Sequence, residues 1–402
     1  MGIILDIILA IAAIAIIFSI AWFMSNDRQN IPYKGIAFML IAQLIITWFM
    51  FNTEIGKLII EGISAAFNKL IEFGRSGVDF VVGGLAFLDP DDPSVFFFDV
   101  LLIIIFFATI LSVLTYLKIL PIIIKYLGGF ISKITGLPKI ESFNAVNSMF
   151  FGQSEALLAI KSQFHRVTEN RLYIVSASAM GSVSASIVGA YLQMIPEQYV
   201  LVAIPLNMFS GLILASIIAP VSVEDEDDDV DIDEVTDSKS VFEAMANGAL
   251  DGGKIALIVA TMLIAFLASL ELINFIIGAV IPGVTLEGIL GWIFSPLAFL
   301  MGVPAGEISD AGSIMGLKVI TNEFVAMGQL NEAMAGLSEK TIGVISVFLT
   351  SFANFSSIGI IAGTVAGINN EKGKIVSRFG MKLLVGTTMA SLLSATIAGL
   401  FI

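Results

Sequence analysis

"MFFGQSEALLAI", Met149 to Ile160, sets Gln153, Ser154 and Glu155 side by side in a segment that is otherwise apolar. A carboxylate at membrane depth is costly and is normally kept there for function. Whether this one lies at such depth depends on the chain around it. Of 402 residues, 57% are hydrophobic and only 13% charged, where a soluble domain is about a quarter charged. Mean hydropathy is +0.96. Apolar runs near the roughly 20-residue spanning length recur, so the chain reads as an all-α polytopic membrane protein.

Several chemistries are excluded early. With no cysteine there is no disulfide, thiolate or Cys-ligated metal. No P-loop, HExxH or GxSxG occurs, which leaves ATP-driven transport and common hydrolases unsupported. No cofactor, structural metal or nucleic-acid partner is expected. The formal charge of −14 is concentrated in "EDEDDDVDIDEVTD", Glu224 to Asp237. Asp229, Asp231 and Asp233 have calcium-loop spacing, but Glu234 replaces the required glycine and Ser240 the final Glu. This run reads as a solvated cytoplasmic loop. His165, the one histidine, falls in a polar connection and reads as a surface residue.

Spans are expected at about 2–24, 36–53, 97–118, 171–194, 198–220, 253–280, 341–366 and 380–401. The N-terminal run lacks a basic n-region and a small-residue cleavage site, so it reads as the first span. Lys and Arg clusters after the first and third spans, and before the fourth and last, are all cytoplasmic if the N-terminus is outside. "IGKLIIEGISAAFNKLIEFG" is amphipathic and is expected along the interface.

Two regions do not read as ordinary spans: 141–168, around the opening stretch, and 290–330, which contains "FLMGVPAGEISDAGSIMG" with Pro304, Glu307 and Asp310. Irregular backbone is tolerable at membrane depth only where protein or a water-filled cavity covers it. Both are therefore expected to be re-entrant hairpins. Each precedes a span rich in small and polar residues, "VSASAMGSVSASIVGAY" (175–191) and "SFANFSSIGIIAGTVAG" (351–367), and then a second span. This repeat of opposite orientation is the mark of a secondary transporter with a midplane site. The expected organisation is N-terminal helices and an interfacial helix (1–95), a scaffold helix with its cytoplasmic connection (96–140), the first repeat (141–220), the acidic loop (221–250), a second scaffold helix (251–285) and the second repeat (286–402).

Glu155, Glu307 and Glu323 are the candidate intramembrane acids, with Gln153, Ser154, Asn322, Asn354, Ser356 and Ser357 near them. This inventory suits a neutral, hydroxyl-rich solute. Ser176, Ser178, Ser184 and Ser186 read as packing devices. For Glu307, Asp310 and Lys318 a structural ion pair and a functional role stand as alternatives.

"GQSEALL", "GVPAGE", "NEFVAM" and "SFANFSSIGI", in that order, resemble motifs of the concentrative nucleoside transporter family from about residue 95 onward. The bacterial, proton-linked branch is the most similar. The resemblance implies a homotrimer with eight spanning helices and two re-entrant hairpins, working as an elevator. It implies a nucleobase at Gln153, Ser154 and Glu155, and a ribose at Glu323, Asn354 and Ser357 with Phe352 packed on the sugar. Sodium-linked members carry an asparagine where this chain has Ser148, while Ser182 matches a sodium-site serine. The implied reading is a nucleoside and proton symporter of the bacterial plasma membrane, with Glu155 or Glu323 carrying the proton. Sodium coupling on the same scaffold, a gated channel for small polar solutes and an intramembrane enzyme are the rivals.

Overall fold

The computed structural model describes residues 3–83, 95–221 and 238–402. The acidic run 224–237 lies outside them. Three helices open the chain: α1 (Ile3–Phe23), α2 (Tyr33–Asn52) and α3 (Glu54–Val82). The third buries Gly56, Ile60, Ser64, Ile71 and Gly74 along one side only and is therefore amphipathic. A π-helical turn over Phe97–Leu101 leads into α4 (Ile103–Tyr116).

Two similar sets of helices follow. The first is α5 (Ile119–Thr135), α6 (Lys139–Asn147), α7 (Gln153–Leu158), α8 (Glu169–Gly181), α9 (Ala185–Tyr191) and α10 (Glu197–Ile218). After α11 (Val241–Val280), the second is α12 (Leu286–Leu300), α13 (Ile308–Ile320), α14 (Glu323–Ala333), α15 (Glu339–Leu349), α16 (Phe355–Ile368) and α17 (Asn370–Gly399). Helices α6–α7 and α13–α14 are the two re-entrant hairpins. Among the described residues, seven helical stretches are long and apolar enough to cross a membrane, taking α8 with α9 as one. The eighth crossing is the pair α15 and α16.

Three expectations need correction. The spans expected at 171–194 and 341–366 are not continuous: they break at Ser182–Ser184 and Thr350–Asn354. Each second half restarts on a capping side chain. Ser184 accepts from the Ser186 N–H at 3.3 Å and Asn354 from the Ser357 N–H at 3.0 Å. The second hairpin does not start at 290 as expected: it is α13 and α14, and α12 precedes it as a separate helix. Residues 301–307 form the turn between α12 and α13, with Gly302 at φ +85°. Gly312 then lets those helices close, since a Cβ there would lie 2.6 Å from the Gly291 carbonyl oxygen. The hairpin tip is Thr321–Asn322, where Asn322 caps α14 by accepting from the Val325 N–H at 3.0 Å. Finally, 241–250 is helix rather than loop: α11 has 40 residues, about 60 Å at the helical rise, well beyond the hydrocarbon core.

The core is centred on α8, α10 and α17, whose spanning windows are 94%, 89% and 78% buried. By contrast only 6% of the most apolar stretch of α11 is buried, and the helix packs chiefly along α4. It forms a wall beside the two hairpins.

Candidate functional site

Four broken-helix starts converge on one cavity of about 430 Å³. Gly152, Gln153, Ser154 and Glu155 come from the start of α7, and Ser184 and Ile187 from α9. Asn322, Glu323 and Phe324 come from α14, and Phe352, Asn354, Ser356 and Ser357 from α16 and the break before it. The volume falls in the roughly 300–1,000 Å³ range of small-molecule sites. Helix N-termini present free N–H groups and partial positive charge. Glu155 and Glu323 stand in the first turns of α7 and α14 and offset that charge. On the far side α11 contributes the apolar Ile255, Ile258, Val259 and Met262, and one turn earlier the Asp251–Lys254 ion pair at 3.1 Å.

The second repeat holds its carboxylate firmly. Glu323 Oε1 accepts from Tyr191 OH at 2.9 Å, and Oε2 accepts from Asn354 Nδ2 at 3.0 Å. Asn354 Oδ1 accepts from the Ser357 N–H and, at 2.7 Å, from Ser356 Oγ. On the first hairpin, Ser154 Oγ pairs with Thr364 Oγ1 of α16 at 2.9 Å. Gln153 Oε1 is buried with no hydrogen-bond partner among the described residues. Thus Tyr191, from the first repeat, orients Glu323 of the second, and Thr364, from the second, holds Ser154 of the first. The breaks also meet through backbone: the Phe352 N–H donates to Ser182 O, and the Ala185 N–H to Phe150 O, both at 3.1 Å.

Gln153, Ser154, Glu155, Glu323, Asn354, Ser357 and Phe352 therefore all line one cavity. Ser148 and Ser182 do not line it. Both are buried, and each donates to its own helix: Ser148 Oγ to Asn144 O at 2.7 Å, Ser182 Oγ to Ala179 O at 3.3 Å. Glu307 is not a site acid. It sits at the α12–α13 turn and accepts from the Ser338 N–H and hydroxyl, while Asp310 is exposed. Their ion pair with Lys318 does not form: Lys318 Nζ donates to Phe348 O and Ser351 Oγ. His165 is exposed, as expected.

Tyr191, Thr364 and the α11 wall are not among the residues expected from sequence, and Ser184, expected to serve packing, lines the cavity. The available signal for Tyr191 was a lone phenol closing an otherwise small-residue span. A second cavity of about 520 Å³ adjoins the first through Gly152, Glu155 and Ser184. It runs between the first hairpin, α4 and the N-terminal part of α11, reaching Lys161 and Ser238.

Three family profiles cover most of the chain. They are described as "Na+ dependent nucleoside transporter N-terminus" (residues 12–85), "Nucleoside recognition" (97–197) and "Na+ dependent nucleoside transporter C-terminus" (199–399). The chain is 37% identical to the purine nucleoside transport protein NupG of Bacillus subtilis, over 98% of this chain and 99% of that one. It is 33% identical to the nucleoside permease NupC of Helicobacter pylori, over 98% and 97%. The structure of CNTnw in an inward-facing substrate-bound state superposes with a TM-score of 0.93 at 34% identity, covering 98% of each chain.

Proposed function

The chain belongs to the concentrative nucleoside transporter family, whose members are transporters and not enzymes, and from that premise we propose that it imports nucleosides by proton symport across a bacterial plasma membrane. The observation that carries this reading is the convergence of Gln153 and Glu323, far apart in sequence, on one cavity. Gln153, Ser154 and Glu155 read the nucleobase. Glu323, Asn354 and Ser357 hold the ribose, and Phe352 packs on the sugar. A carboxylate already oriented by a phenol and an amide is suited to accept from ribose hydroxyls.

The elevator reading is supported by the contrast between the buried repeats and the sparsely packed α11, whose apolar face offers a smooth surface to slide along. Solved CNTnw structures include inward-facing, intermediate and outward-facing states. The scaffold is α4 and α11, the N-terminus is outside, and the assembly is a homotrimer. Proton coupling through Glu155 or Glu323 is supported by Ser148, which stands where sodium-linked members carry an asparagine, since a hard cation needs several oxygens and this position offers no amide carbonyl.

Sodium coupling is the second reading. It is favoured by Asn144 Oδ1 and Asn147 Oδ1, both buried without a hydrogen-bond partner among the described residues. Uptake into proteoliposomes under separately imposed gradients decides. The proposal expects accumulation above equilibrium with a proton gradient alone. Stimulation only by sodium overturns it, and equilibration without accumulation favours a channel. The NupG relative supports counting purine nucleosides among the cargo. Competition of uridine uptake by cytidine, adenosine, guanosine and inosine ranks the bases.

A further inference from the structure

Lys318, near the end of α13, is completely buried. Its Nζ donates to Phe348 O at 2.9 Å, Ser351 Oγ at 2.7 Å and Ser391 Oγ at 3.4 Å, and lies 4.4 Å from the centre of the Phe348 ring. Ser351 and Ser391 are themselves 2.8 Å apart. All three ammonium donors are used, and none of these acceptors is a carboxylate. A buried charge held by neutral groups inside a membrane protein calls for a functional account. Simple packing does not require it, because apolar residues of like volume serve that purpose as well or better.

The repeat sharpens the question. Counting back five residues from the first residue of α14 gives Lys318, and the same count from the first residue of α7 gives Ser148. Ser148 is neutral and bonds within its own helix. The second repeat alone has a charge at this position, and it alone holds its site carboxylate between two fixed donors. The ammonium sits at the C-terminal end of α15, where helix carbonyls are unpaired and a cation is favoured. Ser351, which it grips, starts the short run that carries Phe352 and Asn354. We propose that Lys318 is a positioning residue for ribose recognition: a tethered cation that fixes the α15–α16 break and balances the charge of Glu323.

Two consequences separate this role from general stability. Lys318 acts through Asn354 and Glu323, so its loss is felt by the ribose hydroxyls and not by the base. The charge itself matters, so a neutral side chain that keeps a hydrogen bond does not replace it.

The inference rests on the assignment of Glu323 to the ribose, and the test keeps the two apart. Binding of inosine and of 2′,3′-dideoxyinosine is measured by calorimetry on purified wild type, Glu323→Gln, Lys318→Met and Lys318→Gln. Wild type is expected to prefer inosine by about tenfold or more, the worth of a charge-assisted hydrogen bond. Glu323→Gln removes that preference. Lys318→Met and Lys318→Gln do the same while dideoxyinosine affinity stays within about threefold, on the order of 0.7 kcal/mol. If Glu323→Gln keeps the preference, the ribose assignment fails. If Glu323→Gln loses it and the Lys318 variants keep it, or lose both ligands equally, the role given to Lys318 is wrong. Should the Lys318 variants not yield folded protein, Ser351→Ala makes the smaller cut. It is expected to lower the inosine preference selectively, and an unchanged preference there overturns the proposal.

Discussion

Replacing Gly152 by alanine separates site geometry from fold stability. Gly152 has φ −64° and ψ 167°, extended backbone open to any residue, so alanine adds no backbone strain. A methyl group built there overlaps Glu155 Oε2 and lies 3.3 Å from that residue's carboxyl carbon. To regain ordinary contact the carboxylate must retreat by about 1 Å, through rotation of a flexible side chain. Such a rotation costs roughly 0.5–1.5 kcal/mol, so thermal unfolding in detergent should shift by only a few degrees. The site should suffer far more, because a misplacement of about 1 Å can cost a hundredfold. Gly152→Ala is therefore expected to be folded and nearly as stable as wild type, with nucleoside affinity and proteoliposome uptake reduced by about 10–100-fold. Affinity and uptake both within twofold of wild type would show that the position of Glu155 against the hairpin tip is not what the substrate reads.

Glu323→Gln should leave the fold intact. One of the donors Tyr191 and Asn354 then faces an amide N–H instead of an acceptor. With the charge gone as well, at about 1.5–3 kcal/mol per charge-assisted bond, affinity should fall by one to two orders of magnitude; full transport would refute the role. Arg171→Met removes the bidentate ion-pair partner of Glu141, a pair at 2.5 and 2.9 Å that is almost wholly buried. It should cost about 3–5 kcal/mol, read as a large drop in thermal stability, and an unchanged melting point contradicts this. Deleting residues 224–237, read from sequence as a solvated charge run, should leave transport near normal; a folded but inactive variant would contradict that reading.

The first hairpin was legible because a glycine followed by three polar residues interrupts an apolar segment, and nothing else in the chain competes for that signal. The second was located only coarsely. Its strongest punctuation, Gly302 with Pro304, marks a turn outside the site. The tip at Thr321–Asn322 contains neither glycine nor proline and depends on an asparagine cap. The breaks in the paired spans were hidden for a related reason: serines that cap α9 look the same in sequence as serines that let helices approach. Lys318 misled because sequence shows the acids that precede it in the same segment, Glu307 and Asp310, and not its partners in space. The fold instead brings it a carbonyl and two hydroxyls from α15, the break between α15 and α16, and α17. The seven residues named from sequence all line the cavity, but their supports, Tyr191 and Thr364, lie on the opposite repeat and become visible only once the two halves meet.

The most direct measurement is a structure of the protein with a nucleoside bound. The account predicts a single ligand bridging the two hairpin tips, its base against Gln153, Ser154 and Glu155 and its ribose hydroxyls on Glu323 and Asn354. A nucleoside held by one hairpin alone, or lodged away from both tips, would contradict it.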